Sequence, residues 1–163
     1  NAARLVNELP ATDLADLIAR YGEEGYARRI AEAIVLARRT APILTTFQLV
    51  EIIAGTVPKG YRFGRKHFAT KTFQALRIAV NDELGALTDG LMAIWQHLNP
   101  AGRLAVISFH SLEARIVKEC FRQWVRAGEG ELLTKHAIKP SREEQLRNPR
   151  SRSATLRIIS KIN

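Results

Sequence analysis

Apolar residues recur every three or four positions through most of the first hundred residues. Leu14, Leu17 and Ile18 form one stripe, which predicts a helix over 13–20 with Thr12 as N-cap and Gly22 as its stop. Tyr26, Ile30, Ile34 and Ala37 form a second stripe, over 23–39. Acids near its start and Arg38-Arg39 at its end suit the helix dipole, and Pro42 closes it. Thr45 and Gln48 read as a capping box for a third helix that buries Leu49, Ile52 and Ile53 and stops at Gly55 and Pro58. Residues 56–69 read as a loop. The longest register is Phe73, Leu76, Val80, Leu84, Leu87, Leu91, Ile94 and Leu98, a helix expected to bend or divide at Gly85.

After a turn at Asn99–Gly102 the period changes. Leu104–Phe109 is apolar without alternation, which predicts a strand covered on both faces, as in a parallel sheet. A helix over 112–125 follows, with Ser111 as N-cap and Glu113 favouring its dipole. Residues 131–138 and 155–162 read as two further strands around a polar loop at 139–153. Helices first, then a strand–helix–strand tail, give an α/β class.

Composition narrows the possibilities. A chain of 163 residues, 46% hydrophobic and 25% charged, suits one globular domain or two small packed units. No apolar run reaches the roughly 18 residues needed to span a bilayer, and no signal-peptide pattern opens the chain, so no membrane is expected. The first residue is Asn1 and the sequence starts as if inside a helix, so upstream sequence is expected. One cysteine, Cys120, makes neither an internal disulfide nor a cysteine-rich zinc site. With Ile116, Val117 and Phe121 around it, it reads as a small core residue in a reducing, cytoplasmic compartment. The histidines at 67, 97, 110 and 136 lack ligand spacing, so no metal is expected.

The net charge of +9 points to a polyanion partner, and its distribution points to nucleic acid. Ile52 to Asn81 contains no acid. It carries Lys59, Arg62, Arg65, Lys66, Lys71 and Arg77 among Tyr61, Phe63, His67 and Phe68. Such cations neutralise phosphates and such rings stack on unpaired bases. A second basic segment, Asn148-Pro149-Arg150-Ser151-Arg152-Ser153, precedes Arg157. Ser108-Phe109-His110-Ser111 stands where a strand ends and a helix begins, the usual place for a ligand in an open α/β sheet. A hydrolase triad is disfavoured because no Gly-x-Ser-x-Gly pattern exists. No glycine-rich strand-to-helix loop offers a nucleotide cradle. A helix-turn-helix DNA binder fits poorly, because the cations gather in a loop and a later helix.

Specific blocks go further. Ala69-Thr70-Lys71-Thr72-Phe73-Gln74-Ala75-Leu76-Arg77-Ile78, Val80-Asn81-Asp82-Glu83-Leu84, Ile107-Ser108-Phe109-His110-Ser111-Leu112-Glu113 and the Asn148–Ser153 segment resemble the RsmH (MraW) family of ribosomal RNA methyltransferases. Tyr21-Gly22-Glu23-Glu24 with Arg28-Arg29-Ile30-Ala31 is similar to an earlier family block, and all blocks stand in family order. The resemblance implies a helical, RNA-recognising insert at 1–68 and, at 69–163, the last strands and helices of a class I (Rossmann-like) methyltransferase domain. It implies transfer of a methyl group from S-adenosylmethionine to the exocyclic amine of a cytosine in small-subunit ribosomal RNA. The family's cofactor-binding residues would lie upstream of this chain, leaving it inactive alone. Arg62, Arg65, Lys66, Lys71, Arg77, Arg150 and Arg152 would hold RNA phosphates, and Gln74, Asn81, Ser108, His110 and Asn148 would lie near the target nucleotide. Phe68, Ala101 and Ala114 depart from the family's usual Pro, Gly and Asp, and the last change would cost Ser111 its capping-box partner. The strand ending at Phe109 would lack a neighbour, so a homo-oligomer, swapped assembly or aggregate is expected. A basic RNA-binding module without catalysis is the alternative reading.

Overall fold

The expected stripes do pack. In the computed structural model, which describes residues 1–64 and 66–162, helices α1 (Ala2–Glu8), α2 (Ala11–Gly22), α3 (Ala27–Arg38), α4 (Thr46–Thr56), α5 (Lys59–Arg62) and α6 (Thr70–Asn81) build a first unit, Asn1–Glu83. Leu14 and Ile18 of α2, Ile30 and Ile34 of α3 and Ile53 of α4 are fully buried in one cluster, with Leu76 of α6 beside them. The capping box forms as expected. Thr45 Oγ1 accepts the Gln48 N–H at 3.2 Å, and Gln48 Oε1 accepts the Thr45 N–H at 2.9 Å.

Several boundaries differ, each for a local reason. Helix α2 starts at Ala11, because Pro10 fixes φ ahead of it, while the Thr12 hydroxyl turns to Asp13. Its left-handed terminating residue is Glu23 (φ 49°), not Gly22. Gly22 is required for a different reason: a Cβ there would stand 2.5 Å from the backbone oxygen of Lys71, so α2 and α6 meet with almost no gap. Helix α3 starts at Ala27 rather than 23, because the Glu24 carboxylate accepts the Tyr26 N–H and holds a turn. The loop expected over 56–69 contains α5. The long register divides at Asp82 (φ 48°), whose N–H bonds Ile78 O, and not at Gly85, which continues inside α7 (Glu83–His97).

The second unit, Leu84–Asn163, contains the sheet. Strands β1 (Arg103–Ser108), β2 (Gly130–Leu132) and β3 (Thr155–Lys161) lie in the order β1-β3-β2. Strand β3 is antiparallel to both neighbours, with Leu104 opposite Ile159 and Ser108 opposite Thr155. Within this chain the neighbour of β1 is thus antiparallel, where the apolar run suggested a parallel one. Only one of its faces is covered within this chain, where two-sided burial was expected. Leu104 and Val106 face α7 and α8 (Ser111–Arg126), whereas Ala105 and Ile107 are exposed. Continuous apolarity cannot show how many layers cover a sheet. Trp95 stacks on Trp124 at 4.2 Å, with Phe121 and Ile159 buried around them. Cys120 is buried there, and burial raises its thiol pKa, which suits an inert core residue.

The strand expected over 131–138 reduces to β2 and a single bridge, Ile138 to Leu156. The polar loop at 139–153 contains α9 (Arg142–Arg147) and a 3-10 helix, Pro149–Ser153. Among the described residues, no helix is long and apolar enough to cross a membrane.

Candidate nucleic-acid interface

The expected RNA contacts in the first unit fall into two groups. Lys71, Gln74, Arg77 and Asn81 lie on α6, and each has a partner within its own unit. Lys71 Nζ donates to Glu23 O at 2.8 Å, and Gln74 Nε2 donates to Tyr21 O at 3.1 Å. Both thereby satisfy carbonyls at the C-terminal end of α2, where a lysine charge also suits the dipole. Arg77 grips Glu83 with two parallel bonds of 2.8 and 3.0 Å, and Asn81 Nδ2 donates to the same carboxylate at 3.1 Å. These bonds brace the corner at Asp82. Arg77 remains more than half exposed, so its outer face is still open to a phosphate.

The second group surrounds α5. Lys59 and Lys66 are exposed, and Arg62 is half-buried with its guanidinium 3.4 Å from Val57 O. Arg65 lies outside the described residues. Beneath them is a buried polar anchor that local reading misses. Glu24, only 4% exposed, accepts the Tyr61 hydroxyl at 2.7 Å and the Tyr26 N–H at 2.9 Å. Tyr26 meets the Tyr61 ring edge-on at 5.0 Å. Burial first, and then the hydrogen bond and negative charge of Glu24, push the Tyr61 hydroxyl pKa up to about 12.

In the second unit, Ser108 is buried with its Oγ 2.8 Å from Thr155 Oγ1 across the sheet. His110, not Ser111, is the N-cap of α8. Its Nδ1 accepts the Glu113 N–H at 3.4 Å, while Glu113 Oε2 accepts the N–H groups of Phe109 and His110 at 2.7 and 3.2 Å. The capping box thus forms one residue earlier than expected, with Glu113 rather than residue 114 as its partner. Asn148 ends α9, and its carbonyl accepts both the N–H and the hydroxyl of Ser151. Ser151 is buried, which turns Arg150 and Arg152 outward on the 3-10 helix. The Nε of Arg157 is buried without a hydrogen-bond partner among the described residues.

The profile of the MraW methylase family matches residues 1–162. The chain belongs to the MraW methylase family. It is 55% identical over 160 residues to the ribosomal RNA small subunit methyltransferase H of Coprothermobacter proteolyticus, which covers 98% of this chain and 52% of that protein. The protein of the same name from Rippkaea orientalis is 52% identical over 162 residues, covering 98% of this chain and 51% of itself. For Symbiobacterium thermophilum the figures are 49% over 176 aligned positions, 99% and 55%. The chain spans about half the length of the curated relatives it matches.

S-adenosylmethionine, the cofactor implied by the resemblance, does not fit the described junction between β1 and α8. The strand-to-helix junction after β1 has no glycine, and the N–H groups of Phe109 and His110 are consumed by Glu113. The two N–H groups at the turn of this methylase-family junction are therefore not available to an adenosine or a carboxylate.

Proposed function

We propose that this chain is the C-terminal half of an S-adenosylmethionine-dependent methyltransferase that modifies the exocyclic amine of a cytosine in small-subunit ribosomal RNA. The observation that carries this is the match to relatives of that name over 98–99% of the chain but only about half of theirs. Residues 1–68 act as the helical RNA-recognition insert, and 69–163 close the Rossmann-like methyltransferase domain. The cofactor is held by the other half, consistent with the poor fit at the β1–α8 junction. Arg62, Lys66, Arg150 and Arg152, exposed or half-buried, take RNA phosphates. Lys71, Gln74, Arg77 and Asn81 act first as braces that hold α2, α6 and the Asp82 corner in shape.

Calorimetry with S-adenosylmethionine tests this. The chain alone shows no binding, and the chain fused behind the N-terminal half of the Coprothermobacter relative binds in the micromolar range. A folded fusion that does not bind overturns the proposal. The filled β1–α8 junction also favours a second reading, an RNA-binding module without catalysis. That reading predicts salt-dependent RNA binding by the chain and no methyl transfer by the fusion.

A further inference from the structure

We propose that Phe63 is a stacking platform for an unpaired RNA base, with Lys59, Arg62 and Lys66 placed to hold the flanking phosphates. The proposal rests on RNA being the partner. Five rings lie in the acid-free stretch, and the structure separates them; Phe73 packs against the helical core. Tyr61 is tied to Glu24 and lies against Tyr26. Phe68 packs against the helical core and stacks on His67 at 4.3 Å. His67 accepts the Ala69 N–H through Nδ1. Phe63, by contrast, stands almost entirely in water, at 87% exposure, with no ring contact to a neighbour among the described residues.

The position of that ring is not left to chance. Phe63 ends α5, and its N–H bonds Tyr61 O, as does the N–H of Gly64 at 3.4 Å. Tyr61 is itself pinned from below by a buried carboxylate. The ring is thus presented from a fixed turn, which lowers the ordering cost of binding. Its surroundings identify the ligand. An aromatic in a protein contact is commonly ringed by mixed polar groups, but this turn carries only cations, with no acid from Ile52 to Asn81. A flat ring flanked by phosphate-neutralising charges matches a nucleobase and its backbone.

The test uses the whole chain and a single-stranded oligoribonucleotide carrying 2-aminopurine, read by fluorescence over a salt series. Wild type should quench the base on binding. Phe63→Ala should lose the quench and bind roughly tenfold more weakly, with the salt slope unchanged. Phe63→Trp should keep both. Lys59→Ala with Lys66→Ala should keep the quench while flattening the salt slope by about 0.7 per lost contact. Phe63 is exposed, so circular dichroism should be the same for all variants. If Phe63→Ala binds and quenches like wild type, the platform is wrong while the RNA reading stands. If wild type binds no RNA, both fall.

Discussion

Tyr61→Phe removes one atom and isolates the anchor beneath the basic turn. The ring and its edge-on contact with Tyr26 remain, but among the described residues Glu24 keeps only the Tyr26 N–H. A hydrogen bond to a charged group contributes about 1.5–3 kcal/mol net. Glu24 is 4% exposed, so water replaces the lost donor poorly, and a loss of about 2 kcal/mol is expected. In urea unfolding followed at 222 nm and pH 8, the midpoint should fall by roughly 1 M. The effect has a defined pH window. The Tyr61 pKa is raised from 10.0 to about 12 in the fold, so its contribution is complete below pH 10 and disappears as pH rises through 12. The gap between wild type and variant should therefore close across that range. In an ultraviolet titration at 295 nm, one of the three tyrosines should ionise near pH 12 in wild type and be missing from the variant. Equal midpoints at pH 8, or a gap that widens with alkali, would mean that the Tyr61 hydroxyl does not anchor Glu24.

Other expectations follow from the same geometry. Gly22→Ala drives a Cβ into the Lys71 carbonyl and should cost about 1–3 kcal/mol, while Gly55→Ala, with open space around it in α4, should be neutral or stabilise by about 0.5–1 kcal/mol; denaturant midpoints compare them. His110→Ala should lose about 1 kcal/mol with its cap and His110→Asn should recover most of it, and equal stability of the two would mean that the box does not hold α8. The outer edge of β1 is unpaired among the described residues, and Ile107 and Phe109 are exposed beside it at 59% and 53%. The isolated chain should therefore self-associate in sedimentation velocity, and a clean monomer at high concentration would contradict this.

What could be read from the sequence follows a physical division. Stripes such as Leu14, Ile18 and Ile30, Ile34 report burial directly, because helical spacing is local. The Thr45–Gln48 box is local too, so it was legible. The helix ends at Glu23 and Asp82 were not, because left-handed residues other than glycine carry no strong mark. Gly22 looked like a stop signal, but its contact lies in α6, almost fifty residues away. The apolar run of β1 showed a strand but not its layers, since β3 arrives from much later in the chain. The site divides in the same way. Basic character and likeness singled out Lys71, Gln74, Arg77 and Asn81, but not that each already holds a partner. The anchoring role of Glu24 is not local, because it depends on Tyr61, 37 positions on.

We propose that this chain completes a ribosomal RNA cytosine methyltransferase. The most direct measurement gives small ribosomal subunits and labelled S-adenosylmethionine to the fusion with the Coprothermobacter N-terminal half, and identifies the modified nucleoside by mass spectrometry. Label is expected in a cytidine methylated on its exocyclic nitrogen, with none for the chain alone. A fusion that binds the cofactor yet leaves the RNA unmodified, or labels a different base, would contradict it.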